Sequence, residues 1–276
     1  MLSKQSRPGC GRIVVKCVDG QSAAVSVEAH SPLRLLVPEP RGEIVISYTS
    51  TYGGGLVAGD AIDLTVEVGE GARCFLGSQS NTKVYRTESS LDCSQQLTAI
   101  VGADAFLVMI PDPVQPFAES VYRQRQQFHL DAAADLIFLD AVSSGRPARG
   151  ERWAMRSFET RNEILIDGKP IAVDAMLLDS QSGPLEESTR VGAYDCFGTL
   201  WMLGPESQKI ASQLLAVLNA QPVERAATTL FSASLLPQGA VVRIASDRPQ
   251  NLLRFVVECL EHLPMLSRAR PWARKW

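Results

Sequence analysis

Four carboxylates stand where their surroundings would change their chemistry. Asp60 closes a glycine run, Tyr52-Gly53-Gly54-Gly55-Leu56-Val57-Ala58-Gly59-Asp60. Asp112 sits between Pro111 and Pro113. Asp140 interrupts an apolar run, Leu136-Ile137-Phe138-Leu139-Asp140-Ala141-Val142, and Glu151 follows Gly150. A carboxylate inside an apolar strand is costly to bury unless it is paired. Two readings of Asp140 stand side by side: Arg146, Arg149 or Arg152 neutralises it, or it lines a water-filled passage. Two carboxylates held about 5–10 Å apart can also work as an acid–base pair. Asp60 and Glu151 are the candidates for that role, which would make the chain a β-rich hydrolase or lyase. Oxygen ligands alone hold a late transition metal loosely compared with imidazole or thiolate.

Other chemistries find less support. The sequence has no Cys-x-x-Cys and no His-x-x-x-His, and its histidines, His30, His129 and His262, are far apart. Cys259 and His262 fall at i and i+3 on an expected helix, which is two ligands and no more. Cys10 and Cys17 flank a turn and a strand. No Gly-x-Ser-x-Gly elbow is present. Gly53-x-Gly55-x-x-Ala58 fits the dinucleotide pattern formally, but that pattern works between a strand and a helix, and here the loop opens into a strand. A phosphate loop needs a cation where Asp60 follows Gly59. Lys83-x-Tyr85-Arg86 reads either as a phenol–cation pair or as a strand edge whose long side chains reach for solvent.

The elements that would position these residues are strands. Ile62, Leu64, Val66 and Val68 alternate with Asp63, Thr65 and Glu67, which is the period of a half-buried strand. Gly69-Glu70-Gly71 turns it into a second strand at Arg73 to Leu76. Short β-branched runs cover 12–18, 24–30, 33–38 and 43–48, and Leu91 to Ile100 alternates again. Ala105 to Ile110 and Leu136 to Val142 are continuously apolar, as strands covered on both faces are. Gln124 to Leu130 is polar on both faces. It reads as an exposed ribbon or as the lining of a wet interior. Helical spacing predicts two helices, one over Glu206 to Ala220 and one from Asp247-Arg248-Pro249 through Leu260, with Pro264 stopping it. The expected fold is mostly β: stacked sheets of β-helix-like or sandwich architecture, two helices in the C-terminal third, and one domain over 1–276. An exposed loop is expected at 179–189.

Composition fits an ordinary globular chain of 276 residues, 45% hydrophobic and 21% charged, with a net charge of −3. No basic excess argues for nucleic acid, and no apolar run reaches the ~18 residues of a membrane span. The first residues carry no apolar run of a secretory signal, and six cysteines read as free thiols, so the expected setting is the reducing cytoplasm. The basic residues Arg268, Arg270, Arg274 and Lys275, with Trp272 and Trp276, read as a solvated tail.

Four blocks in order resemble the urease accessory protein UreD (UreH) family, in a form similar to its plant and fungal branch. They are Gly54-Gly55-Leu56-Val57-x-Gly59-Asp60, then Thr82-Lys83-x-Tyr85-Arg86, then Pro111-x-Pro113 through Pro116-Phe117, then Ser144-Gly145-Arg146 with Gly150-Glu151-x-Trp153. The resemblance implies a non-catalytic scaffold that binds apo-urease and the partner UreF, and through UreF the GTPase UreG. It implies no tightly bound cofactor, only transient Ni2+ passing through an internal tunnel toward urease. Asp60 and Glu151 match acidic positions of the family's motifs. Asp140 joins them as a candidate for the passage on the strength of its apolar surroundings. Gly54, Gly55, Gly59, Thr82, Lys83, Tyr85, Arg86, Pro111, Pro113, Gly145 and Arg146 are the motif positions expected to be structural or partner-facing.

Overall fold

The computed structural model describes residues 8–39, 43–88, 91–224, 227–261 and 263–274. Strands follow one another as β1 Cys10–Val18, β2 Gln21–Ala29, β3 Leu33–Leu36, β4 Val45–Thr51, β5 Ala61–Val68, β6 Arg73–Ser78 and β7 Lys83–Val84. Then come β8 Cys93–Val101, β9 Phe106–Ile110, β10 Gln115–Pro116, β11 Val121–Leu130, β12 Asp135–Ser143, β13 Gly145–Arg146 and β14 Glu151–Arg152. The C-terminal part holds β15 Ser157–Ile166, β16 Lys169–Asp179, β17 Cys196–Leu203, α1 Pro205–Asn219, β18 Thr229–Leu236, β19 Gly239–Ser246, α2 Pro249–Leu260 and α3 Pro264–Ala269.

From β5 onward the chain winds as a solenoid. Strands β5, β8, β11 and β15 pair in parallel in one sheet, while β6, β9 and β12 pair in parallel in the other. Each coil therefore crosses from the first sheet to the second and returns. The first sheet has the order β16-β15-β11-β8-β5-β1-β2, the second β18-β19-β17-β12-β9-β6-β4-β3. The stacked-sheet architecture expected from the strand spacing is present, with both long helices in the C-terminal third.

Two apolar layers hold the solenoid together. Alternate residues of the first sheet, such as Leu64, Leu97 and Phe128, meet Leu76, Leu107 and Phe138 between the sheets. The other face of the second sheet, including Ile137, Leu139 and Val242, is covered by Leu215 of α1 and Leu252 and Val256 of α2. That explains the continuous apolar run of β12, which is buried along its whole length.

The returns form a narrow third face. Leu56 bridges Val84, β7 pairs with β10, and Gly145 lies against Pro116. The four sequence blocks are thus successive rungs of one ladder. Leu56 donates its N–H to the Lys83 carbonyl (2.8 Å), and Gln115 to that of Thr82 (2.8 Å). Tyr85 meets Phe117 edge to face, 5.4 Å between ring centroids. The Arg146 guanidinium lies over the Phe117 ring, 4.0 Å from its centroid.

Two expectations change at the C-terminus. Pro264 does not merely stop a helix: it begins α3, because proline is accommodated in a helix's first turn. The segment after it is not a solvated tail as far as it is described. Pro271 is buried, the Tyr48 hydroxyl donates to its carbonyl, and Trp272 packs edge to face on Phe75. Lys275, Trp276 and residues 1–7 lie outside the described residues. The loop after β16 is exposed at several positions, yet Leu185 and Val191 turn into the core.

Gly145 tests the ladder. Its φ is +100°, and a Cβ there would stand 2.6 Å from the Pro116 carbonyl oxygen. Gly145→Ala is expected to lose about 2 kcal/mol or more of stability, from backbone strain plus the clash. Urea denaturation checks this, with a lowered midpoint at an unchanged slope as the expected outcome.

Candidate functional site

The polar row of β11 is neither ribbon nor surface. Its alternation buries Tyr122, Gln124, Gln126 and Phe128 between the sheets and turns Arg123 and Arg125 to solvent. Parallel register places Gln124 beside Gln95 on one side and Thr160 on the other, and Gln126 beside Asn162. In-register stacking thereby gathers amides and hydroxyls into one buried layer.

Asp140 faces this layer from β12. It is 8% exposed and accepts three hydrogen bonds: from Gln124 Nε2 (2.9 Å), Thr160 Oγ1 (2.9 Å) and Asn162 Nδ2 (2.7 Å). Among the described residues no Lys or Arg pairs with it. The expectation that Arg146, Arg149 or Arg152 neutralises it fails, because Arg146 bonds Glu151, Arg152 bonds Asp195 and Arg149 is exposed. Burial pushes the Asp140 carboxyl above its ordinary value, the three donors pull it back, and the nearby Asp174 adds to the rise. The neighbouring Tyr122 phenol is also pushed up, by burial first and by Asp140 second. Its hydroxyl donates toward Gln95 and Gln124.

Space adjoins the carboxylate. A cavity of about 30 Å³ is lined by Asp140, Gln124, Gln126, Gln95, Thr82, Thr49 and Asp112 among others. A second of about 20 Å³ shares Thr49, Leu64, Thr82 and Gln95 with it and continues past Ser78, Ser80 and Asn81. Each is the size of about one water molecule, and the walls are polar enough to hold one. Gln95 and Thr82 thus form the wall common to both, and Asp140 ends the inner one.

The other expected site residues make contacts of their own. Asp60 caps its own turn, its Oδ2 accepting from the Val57 N–H at 2.9 Å. Cys93 donates its thiol to the carbonyl of Val57, and burial, with Asp60 and Asp92 nearby, pushes that thiol up to about 11. It stays protonated and is a poor metal ligand. Glu151 accepts from both ends of the Arg146 fork, Nε at 2.8 Å, and that pairing holds its carboxyl below the ordinary range. Glu151 also accepts from the Ala118 N–H (3.3 Å), tying two rungs of the narrow face together. Gly55 leaves room for Tyr85 and the Lys83 carbonyl, which a Cβ would meet at 2.5 and 2.8 Å. Gly59 accommodates Leu91. Arg86 and Gly54 are exposed, whereas Lys83, Tyr85 and Pro111 are partly covered and Pro113 is buried.

Asp60, Asp140 and Glu151 are not brought together. No group of three or more His, Cys, Asp or Glu side chains placed to hold a metal ion occurs among the described residues. His262 lies outside them, so the Cys259–His262 pair has no described geometry. Residue-by-residue reading of the sequence missed Thr160 and Asn162. The signal was there in Phe158, Thr160, Asn162 and Ile164, an alternation with two polar members on its apolar side.

Similarity to known proteins agrees with the motif blocks. A family model described as UreD urease accessory protein matches residues 7–276. A urease accessory protein UreD of Anaeromyxobacter sp. is 41% identical over 268 residues, 97% of this chain and 90% of its own. A urease accessory protein D of Arabidopsis thaliana is 31% identical, covering 95% of this chain and 99% of its own. An uncharacterized ureD-like urease accessory protein of Schizosaccharomyces pombe is 33% identical, covering 74% of each. Likeness to plant and fungal relatives is therefore present, alongside bacterial relatives.

Burial of Asp140 has a consequence for pH. Its folded-state pKa is raised above 3.8, its ordinary value, so the folded chain holds this proton more tightly than the unfolded chain. The stability it contributes is complete below 3.8 and is lost as pH rises through the higher folded value. Asp140→Asn removes that loss. Urea denaturation at a series of pH values is expected to show the variant gaining on the parent as pH rises from 4 to 7.

Proposed function

The chain belongs to the UreD family of urease accessory proteins, and on that membership we propose that it is a non-catalytic scaffold that passes Ni2+ to urease. In this reading it docks on apo-urease at one surface and on UreF at another, with the GTPase UreG held through UreF. All of this takes place in the cytoplasm. Among the described residues no helix is long and apolar enough to cross a membrane.

The observation that carries the passage is Asp140, a carboxylate satisfied by neutral donors and lining one cavity that a second adjoins. Ni2+ is the cargo. It travels partly stripped of water, since the cavities hold a single water at a time rather than a hydrated ion. Thr49, Thr82, Gln95 and Gln124 offer hydroxyl and amide oxygens along the way, and Asp140 offers the charge. Such ligands bind the ion weakly enough for it to leave, which thiolates and imidazoles would not. Gln124, Thr160 and Asn162 position the carboxylate, and their amides and hydroxyl turn when the ion takes their place. Asp60 and Glu151 belong to the framework of this route: one fixes the glycine loop, the other locks the narrow face.

The hydrolase reading gains nothing comparable. Glu151 is held ionised by Arg146, which suits an ion pair and not a general acid.

Reconstitution tests the proposal. Apo-urease is mixed with UreF, UreG, GTP and Ni2+, with this chain, without it, or with Asp140→Leu. The expected outcome is urease activity only with the parent chain, while Asp140→Leu still copurifies with urease and UreF. Equal activation by Asp140→Leu would remove the passage from the proposal.

A further inference from the structure

The two ends of the buried polar layer differ in charge. At one end the cavity lined by Ser50, Ser78, Ser80, Asn81 and Thr82 has no charged residue in its wall. The other end lies past Asp140, toward the sides of the two sheets, and it is charged. In the second sheet Asp140 stands beside Thr199 of β17, and Thr199 beside Arg243 of β19. Register partners share a face, so Thr199 and Arg243 continue the row that Asp140 begins. In the first sheet Asn162, which donates to Asp140, stands beside Asp174 of β16. The two rows close on each other where Arg243 Nη2 meets Asp174 Oδ1 at 3.7 Å.

That contact lies at the surface. The Arg243 side chain is 62% exposed and that of Asp174 only 23%. Asp174 is the more enclosed partner, and it is near enough to Asp140 to raise that group's proton affinity. The guanidinium therefore covers the more enclosed carboxylate from its solvent side. A loosely held, single-contact ion pair is worth ~0.2–1 kcal/mol. It is weak enough to be opened by a competing cation.

We propose that Arg243 is a displaceable gate at the lateral edge of the Asp140 layer, resting on Asp174 and giving way to a divalent cation. The proposal rests on the passage reading above and adds its outer control point. While Arg243 is seated it neutralises Asp174 and repels cations at that edge. When it swings out, Asp174 and Asp140 present two carboxylates in succession, linked by Asn162 and Thr199. A cation leaves or enters by exchanging with the guanidinium on Asp174.

A double-mutant cycle tests the gate in the full chain. Ni2+ alone is titrated, and free metal is read with a chromophoric chelator. Arg243→Ala is expected to tighten Ni2+ binding by up to about fivefold, the upper worth of a pair of this kind. Arg243→Lys keeps the charge and stays near the parent. Asp174→Asn weakens binding, and adding Arg243→Ala to it changes nothing further, because the guanidinium then has no partner to release. Unchanged or weaker binding in Arg243→Ala overturns the gate, as does an equal gain in the Asp174→Asn background. Asp140→Asn separates this failure from failure of the passage itself. If Asp140→Asn binds Ni2+ as the parent does, the passage reading falls and the gate with it. If Asp140→Asn weakens binding while Arg243→Ala does nothing, the gate alone falls. Circular dichroism on each variant confirms the strand signal of the parent.

Discussion

In-register parallel stacking is the constraint on which the rest of this structure depends. Once β5, β8, β11 and β15 pair in parallel, a residue at a given offset in one coil lies beside the same offset in the next. Apolar offsets then add up to a core, and polar offsets add up to a buried polar layer. The layer through Gln95, Gln124 and Thr160 is one such row. A single amide between two sheets would be a liability; a row of them satisfies its own donors and acceptors. It can then satisfy a carboxylate as well. Asp140 is affordable in the interior because three neutral donors meet it there.

The same constraint assembles the narrow face. Residues far apart in sequence, from Gly55 to Glu151, become rungs of one ladder because each coil returns at the same place. Tyr85, Phe117, Arg146 and Glu151 form a continuous edge of ring, ring, cation and carboxylate. Small residues are required where the rungs approach, as at Gly55 and Gly145. The motif residues are thus a spine for the solenoid. The polar interior is a separate feature, and it meets the spine at Thr82, which lines both cavities and accepts from Gln115.

Much of this was legible in the sequence. Alternation in β5 and the unbroken apolar run of β12 report how many faces each strand buries, and the burial agrees. The two long helices were readable from apolar spacing, and the second also from the proline at its start. The third was not, since six residues are too few for a period and Pro264 reads as readily as a stop. The strangeness of β11 was visible, but its meaning was not. Periodicity shows that Gln124 and Gln126 share a face, and only the neighbouring coils decide whether that face is wet or closed. The partners of Asp140 lie 16 to 22 residues away, on strands whose register no local pattern determines. The arginines nearest in sequence were the natural candidates, and they point to Glu151 and Asp195 instead.

In the proposed function, cargo moves through the inside of this solenoid and not over its surface. The most direct measurement blocks the interior without touching a charge. Thr82→Trp places a bulky ring in the wall that the two cavities share. A complex carrying this variant is assembled with apo-urease, UreF and UreG, supplied with GTP and Ni2+, and assayed for urease activity and urease-bound nickel. The expected outcome is an intact complex with little nickel delivered. Full delivery through the plugged chain would contradict it, and would move the route to the outside of the protein.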